Sequence, residues 1–423
     1  MASATEQAAG HAPGGQLRAP ARGAALGEIG LIPRGAVAVA GERIAWVGPE
    51  IELDARVCLA PGARVLDAAG GSVLPGFVDP HTHIPFAGDR AEEFGMRVRG
   101  RTYSEIAAAG GGILSSVRAF RAASRDELLA RGRHALDQML LFGTTTIEAK
   151  TGYGLTTADE LRALDMMAEL DRTHPTTVVP TFMGAHAVPP EYAGDAAGYV
   201  QLIIDEMLPA VARQGIARFC DVFCERGYFS PADTRAIFAA ARDHGLALKL
   251  HADEFEDSGG AALAAAAGAT SADHLMAIGE AGTAALAASE TIPVLLPATS
   301  FFLGMTRFAP GRRLADAGLP IAIATDFNPG SSMVASMPLV VSLACLGLQL
   351  APEEALVAAT RNAAHAAGVA DRGVLVPGAR ADLQIVALPG VRHLAYHIGP
   401  SHVTAVVAGG RVVVEAGRIV SSR

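Results

Sequence analysis

Two histidines two residues apart, His81 and His83, sit inside a stretch reading LPGFVDPHTHIPFAGDR from Leu74 to Arg90. In an extended strand, residues i and i+2 project to the same side about 6.6 Å apart along the chain, so both imidazoles can converge on one point. That is a geometry for holding a metal. With 13 histidines in 423 residues, chance alone supplies about 0.4 such pairs. The pair by itself is therefore weak, and the rest of the chain must decide.

Residues 75–370 alternate strand and helix patterns. Ser124-Arg125-Asp126-Glu127 reads as a capping box opening a helix with Leu128, Leu129, Leu136 and Leu140 at helical spacing, closed by Gly143. Thr157-Ala158-Asp159-Glu160 repeats the device, and Ser230-Pro231 offers an N-cap with proline at the first helical position. Strands are predicted before His81 and at Thr144–Lys150, Thr177–Thr181, Arg218–Phe223, Leu246–Leu250, Thr270–Asp273, Ile292–Leu296 and Ile321–Thr325. Eight such units over roughly 300 residues favour a closed (β/α)8 TIM barrel over an open doubly wound sheet, and no glycine-rich nucleotide motif follows any strand.

Flanking this middle are strand patterns at both ends: a hairpin over Ala36–Gly48, a short strand at Arg64–Asp67, and strands at Asp382–Val386 and Val403–Glu415 broken at Gly409-Gly410. The expected organisation is an α/β chain with a barrel over residues 75–374 and a small β-sandwich domain formed by both chain ends, residues 28–74 and 375–423. A low-complexity segment over residues 1–27 is expected to be poorly ordered.

The carboxyl ends of the predicted barrel strands carry His81 and His83, Lys150, His186, Glu225, His251, His274, a Pro297-Ala298-Thr299 turn, and Asp326. In a barrel those ends share one mouth. Three neutral imidazoles and a carboxylate suit Zn2+ or Fe2+ rather than the all-oxygen shells of Ca2+ or Mg2+, so the proposed ligands are His81, His83, His251 and Asp326. A catalytic metal keeps one position open for water and lowers that water's pKa to about 7. His274 reads as catalytic, against a core histidine bonded to Asp273. Glu254 reads as a proton carrier, against a solvated loop acid. Lys150 reads as a salt-bridge partner inside the barrel, against a carbamylated bridge between two metals.

A net charge of −9 and a pI near 5.8 give no electrostatic footprint for nucleic acid or acidic lipid, so a small molecule is the expected partner. The longest apolar run, Met337–Leu350, is too short to span a bilayer. Cys58, Cys220, Cys224 and Cys345 are too scattered for a disulfide framework and read as small buried hydrophobes in a reducing compartment. A cytoplasmic protein is expected.

The sequence resembles the amidohydrolase superfamily. The likeness runs from about residue 36 to the C-terminus and is carried by VDPHTHIPFAGDRAEEF from Val78, Ala108-Ala109-Gly110-Gly111-Gly112-Ile113, EAKTGYGL from Glu148, FMGAHAVPPEY from Phe182, KLHADE from Lys249, SADHL from Ser271 and ATDFNPGSS from Ala324. Asp89-Arg90, Thr151-Gly152-Tyr153-Gly154, Gly184-Ala185-His186 and Asn328-Pro329-Gly330-Ser331 point to the branch that opens an imidazolone ring bearing a propionate. The resemblance implies one divalent metal per chain, zinc or iron, on His81, His83, His251 and Asp326. It implies substrate contacts from Arg90, Tyr153, His186, Glu254, Asn328, Gly330 and Ser331, with Arg90 clamping the carboxylate, and catalytic roles for Glu254, His274 and Asp326. Members are commonly homodimers. The rival functions are another cyclic amidohydrolase or a deaminase of the superfamily, acting on a hydantoin, a pyrimidine or guanine, and a non-catalytic binding homologue. In one respect the chain departs from the family pattern: no clear strand lies near Met1, so the expectation is either a small domain lacking an edge strand or a misassigned start.

Overall fold

The computed structural model describes residues 19–101, 105 and 110–420. Residues 1–18, and with them most of the low-complexity segment, lie outside the described residues, as do Ala108 and Ala109. The chain opens with an antiparallel hairpin, β1 (Gly35–Ala40) and β2 (Arg43–Pro49), and a short strand β3 (Ser72–Pro75). Eight parallel strands follow: β4 (Phe77–Thr82), β5 (Thr144–Lys150), β6 (Thr177–Ala185), β7 (Phe219–Cys224), β8 (Ala247–Ala252), β9 (Ser271–His274), β10 (Ile292–Leu295) and β11 (Ala322–Ile323). Each pairs in parallel with its sequence neighbour, in the order β4 to β11. Such strands are buried on both faces, which suits β-branched runs such as Thr144-Thr145-Thr146-Ile147.

The cylinder closes at its mouth. Strand β11 is only two residues long, and the chain beyond it completes the seam: the Asp326 amide donates to the His81 carbonyl and the His83 amide to the Phe327 carbonyl, both at 3.0 Å. Residues proposed as metal ligands thus also join the first and eighth strands. Outside the barrel, the small side chains Ala363, Ala364, Ala366 and Ala367 let the Arg361–Ala366 helix lie close against Val78, Val294, Ala322 and Ala324.

Helix starts follow side-chain chemistry. Ser124 Oγ accepts from the Glu127 amide at 3.3 Å to begin Arg125–Leu141, and Gly143 takes the left-handed φ of +89° that ends it. Ser230 and Asp233 form a reciprocal capping box. The Thr157–Thr173 helix is capped one residue earlier than predicted, by Thr156, whose hydroxyl accepts from the Asp159 amide.

The last strands, β12 (Leu383–Val386), β13 (Val403–Ala408), β14 (Arg411–Glu415) and β15 (Arg418–Ile419), form an antiparallel sheet with β3 at its edge. The β1–β2 hairpin joins the same end through Ile44 N–H to Ala379 O at 2.9 Å and Ala381 N–H to Glu42 O at 2.8 Å. Both chain ends therefore build one small antiparallel β region. Three expectations fail. Arg64–Asp67 is irregular backbone, not a strand, and residues 19–27 are packed: Ala21 and Leu26 are buried, and Asn362 brackets Ala21 through its amide and carbonyl at 2.7 and 3.0 Å. A buried carboxamide satisfying both backbone groups holds this segment where composition alone argued for disorder. Cys58 is exposed, against the expectation of burial. The Met337–Gly347 helix is mostly core, with Leu346 facing out. Among the described residues no helix is long and apolar enough to cross a membrane.

Candidate active site

The ends of β4 and β8 and the turn after β11 bring His81, His83, His251 and Asp326 into one buried neighbourhood, in which His81, His83 and Asp326, and separately His81, His251 and His274, offer ligand atoms within 4.8 Å of one another. Nε2 of His81 lies 3.2 Å from Nε2 of His83 and 3.4 Å from Oδ1 of Asp326, and His83 Nε2 is 3.5 Å from the same oxygen. The His251 ring centroid is 4.5 Å from that of His81, and its Nε2 is buried with no hydrogen-bond partner. The other ring nitrogens of two of these residues are spoken for: His81 Nδ1 sits 2.7 Å from Asp273 Oδ2 and His251 Nδ1 sits 3.0 Å from Asp221 Oδ1. Carboxylates at those positions place the ring proton on Nδ1 and turn the Nε2 lone pair toward the cluster. Lone pairs and a carboxylate oxygen gathered in a dry pocket, one of them unpartnered, fit a bound cation.

Burial, reinforced by the Lys150 ammonium, lowers the pKa of His81 well below its ordinary value, and burial lowers that of His83 against the opposing pull of Asp326, so both are neutral as ligation requires. Burial alone would raise the Asp326 carboxyl, but hydrogen bonding to His83, the adjoining imidazoles of His274 and His83, and the Thr299 hydroxyl hold it at about 2. Its second oxygen, Oδ2, accepts from Thr299 Oγ1 at 2.7 Å and Ser331 Oγ at 3.2 Å, leaving Oδ1 aimed at the histidines. Removing the Thr299 hydroxyl in Thr299→Val is expected to weaken metal binding by roughly ten- to hundredfold with little change in fold, the range seen when a ligand's orienting partner is lost. Competition against a chromophoric chelator measures it, and unchanged affinity would show that Ser331 alone suffices.

His274 and Leu275 have φ of +75° and +59°, an uncommon left-handed pair for residues with side chains. The bend ends β9 and places the His274 ring 5.1 Å from that of His251. Asp273 bonds His81 rather than His274. Burial lowers the His274 pKa to about 3. Its Nδ1 lies 3.7 Å from Glu254 Oε1. Burial, then the charges of Asp326 and Glu225, push the Glu254 carboxyl well above its ordinary range. Glu254 is held by its neighbours: Glu225 Oε2 accepts from the amides of Glu254 and Phe255 at 2.9 and 3.0 Å, while Asp253 turns away to accept from the amides of Ser258, Gly260 and Ala261. Of the two acids in His251-Ala252-Asp253-Glu254, one builds the loop and the other faces the mouth.

Arg90 presents one edge of its guanidinium to Glu93, with Nε and Nη2 at 2.7 and 2.6 Å from Oε2. That carboxylate is itself fixed by the Gly112 amide and Ser115 Oγ. Nη1 lies against Gly330, where an added Cβ would overlap it. Gly330 has no left-handed φ, so the requirement is space alone. Gly330→Ala is therefore expected to raise KM roughly ten- to hundredfold by displacing the guanidinium, with the melting temperature unchanged. An unaltered KM would mean that the displaced Arg90 still reaches the substrate.

Tyr153 and His186 line the same side: the His186 ring stacks on His83 at 5.2 Å, and the Tyr153 ring lies 5.4 Å from His186. His186 Nδ1 donates to the Gly152 carbonyl at 2.9 Å, which leaves Nε2 available. The Asn328 side chain is turned into its own loop: Oδ1 accepts from the amides of Gly330 and Ser331 at 2.7 and 2.8 Å, and Nδ2 donates to Asp326 O and Ser331 Oγ. It shapes the loop beside Asp326.

Several functional residues escaped the sequence reading. Asp221 and Asp273 orient two histidines, Thr299 orients Asp326, and Glu93 orients Arg90. A lone acid in the apolar run Phe219-Cys220-Asp221-Val222-Phe223 is a signal, because an unpartnered buried carboxylate is costly. Lys150 is an ammonium tied to Asp221 at 2.7 Å and Glu148 at 2.8 Å, and so is not placed as a bridging ligand.

A closed parallel barrel with a His/His/His/Asp cluster at its carboxyl mouth defines a metal-dependent hydrolase of the amidohydrolase type. Residues 104–414 match the family model described as Amidohydrolase family. Among solved structures, a zinc- and atraton-bound variant of atrazine chlorohydrolase from Arthrobacter aurescens matches with a TM-score of 0.71 at 19% identity, covering 91% of each chain. A zinc-bound adenosine deaminase from Xanthomonas campestris matches at 0.69 and 20%, covering 92% of this chain and 90% of that one. At those identities the likeness is one of fold. Sequence is more specific: the imidazolonepropionase of Symbiobacterium thermophilum is 51% identical over 402 residues, 95% of both chains, and that of Geobacillus kaustophilus 49% over 408 residues, 96% of both. The chain belongs to the amidohydrolase family and, within it, to the imidazolonepropionases.

Proposed function

We infer that this protein hydrolyses 4-imidazolone-5-propanoate to N-formimidoyl-L-glutamate, a step of histidine degradation. The observation that carries the reading is the full-length identity to imidazolonepropionases, joined to a part-buried guanidinium, that of Arg90, and a metal-type cluster. His81, His83, His251 and Asp326 would hold one Zn2+ or Fe2+, both of which accept this donor set. A metal so held supplies an activated water, with a pKa lowered to about 7, and polarises a carbonyl oxygen.

The rest falls to the chain's own side chains. Arg90, through the edge left free by Glu93, binds the propionate carboxylate, with Tyr153 and His186 adding hydrogen bonds. Small residues at Gly330 and Ser331 leave room for that arm. Anchoring it places the ring carbonyl at the mouth, where water adds to the carbonyl carbon and the ring C–N bond breaks. His274 hydrogen-bonds the oxyanion that develops there. Glu254 and Asp326 carry the water's proton to the departing ring nitrogen, so that one water is consumed and one carboxylate appears. A neutral nucleobase would leave Arg90 without an anion, which disfavours the deaminase reading. The four unpaired cysteines suit a reducing, cytoplasmic compartment, and the family pattern favours a homodimer.

Loss of the imidazolone chromophore measures turnover directly, with hydantoin propionate as competitor. Arg90→Ala is expected to raise KM roughly 10- to 150-fold, the worth of a hydrogen-bonded charge at about 1.5–3 kcal/mol. No turnover by the wild type would reject the substrate, and an unchanged KM in the variant would reject Arg90 as its anchor.

A further inference from the structure

Barrel interiors are ordinarily filled by branched apolar side chains. Beneath this mouth, however, Glu148, Lys150, Asp221, Lys249 and Asp273 are all completely buried. Lys150 Nζ lies 2.7 Å from Asp221 Oδ2, 2.8 Å from Glu148 Oε1 and 3.5 Å from Asp273 Oδ2. Asp221 gives its other oxygen to His251 Nδ1 at 3.0 Å, and Asp273 uses Oδ2 itself to receive His81 Nδ1 at 2.7 Å. One ammonium from β5 therefore joins the two carboxylates, from β7 and β9, that orient two of the proposed ligands.

We propose that Lys150 is a positioning residue: its ammonium holds Asp221 and Asp273 where they fix the ring orientation and tautomer of His251 and His81, and so sets the affinity of the metal site. The proposal rests on the ligand assignment above and extends it one layer inward. Glu148 Oε1 is shared between Lys150 and Lys249, and it is Lys150 alone of the two that reaches past it to both orienting acids; that reach is the feature that calls for a function. Without that cation, two carboxylates facing one space repel each other, and each can relieve the repulsion only by turning away from its histidine. Lys249 does not replace it. Its Nζ donates to the Pro80 carbonyl at 3.0 Å and pairs with Glu148 at 3.6 Å, and among the described residues it makes no ion pair with Asp221 or Asp273.

The test compares full-length wild type with Lys150→Met and with the charge-matched Lys150→Met/Glu148→Gln, which removes one positive and one negative group together. Zn2+ affinity is read by chelator competition, site geometry by the visible spectrum of the Co2+-loaded protein, and folding by thermal unfolding. The proposal expects the double variant to unfold near the wild-type temperature, yet to bind Zn2+ at least tenfold more weakly, within the ten- to hundredfold range for lost orienting partners, and with an altered Co2+ spectrum. A double variant less than tenfold weaker, with the wild-type spectrum, would show that Lys150 only balances charge and would overturn the proposal. If the wild type itself takes up no stoichiometric Zn2+, the ligand assignment falls and this proposal with it.

Discussion

His251→Ala is expected to leave well under one equivalent of divalent metal on the purified protein and to lower kcat/KM by at least about 10³-fold, since a catalytic metal contributes several kcal/mol of transition-state stabilisation. The structure explains why one ring matters so much. His251 stands between Asp221, which fixes its Nδ1 at 3.0 Å, and the cluster, toward which its unpartnered Nε2 is turned. Removing it takes away a ligand and also one of the donors to the buried Asp221 carboxylate, which keeps Lys150 and the residue-251 amide. Metal analysis and the chromophore assay check the result together. Chelation of the wild type should reproduce the loss, and restoration by Zn2+ or by Fe2+ under anaerobic conditions would show which ion the site prefers. Full metal content in the variant, or activity within tenfold of the wild type, would remove His251 from the ligand set.

Glu254→Gln is expected to lower kcat about 10²- to 10⁴-fold, the usual worth of a positioned proton carrier, while KM changes only a few-fold. Metal content should stay intact, because Glu254 approaches His274 at 3.7 Å and is not one of the proposed ligands. Burial and the charges of Asp326 and Glu225 raise its carboxyl above the ordinary range, and the sign of this shift yields a second expectation. An acid whose pKa is raised by folding binds more protons in the native state, so it destabilises that state as pH rises above the unfolded value. The glutamine variant, lacking the charge, should therefore melt no lower than the wild type in the metal-free form at pH 7, even as it loses activity. The wild-type limb of kcat against pH that belongs to this carboxyl should disappear in the variant. Retained kcat, or a variant that fails by unfolding, would contradict this role.

Much of this arrangement was legible in the residues alone. His81 and His83 are close in sequence, their strand is announced by Pro75-Gly76, and the caps at Ser124 and Ser230 act over three residues. Local periodicity therefore sufficed to count eight strands and to place polar residues at one rim. The antiparallel partnership of the chain ends followed from strand patterns on either side of a long alternating middle, though Arg64–Asp67 looked like a strand and is not one. The resemblance carried by Asp89-Arg90 and Asn328-Pro329-Gly330-Ser331 pointed to the substrate class, and the full-length relatives bear that out.

What tertiary structure alone decided are the pairings between distant strands. His81 meets Asp273 across 192 positions, Lys150 meets Asp221 across 71, and Thr299 meets Asp326 across 27. No spacing rule encodes these, because barrel closure sets them. The same holds for which oxygen of Asp326 faces the histidines, for Asn328 spending its amide on its own loop, and for Ala21 docking on Asn362. Sequence by itself determined which residue types reach the mouth, since strand and helix periods are local. Only the closed barrel determined which atom of each faces the reaction, since that depends on partners brought together when the first strand meets the eighth.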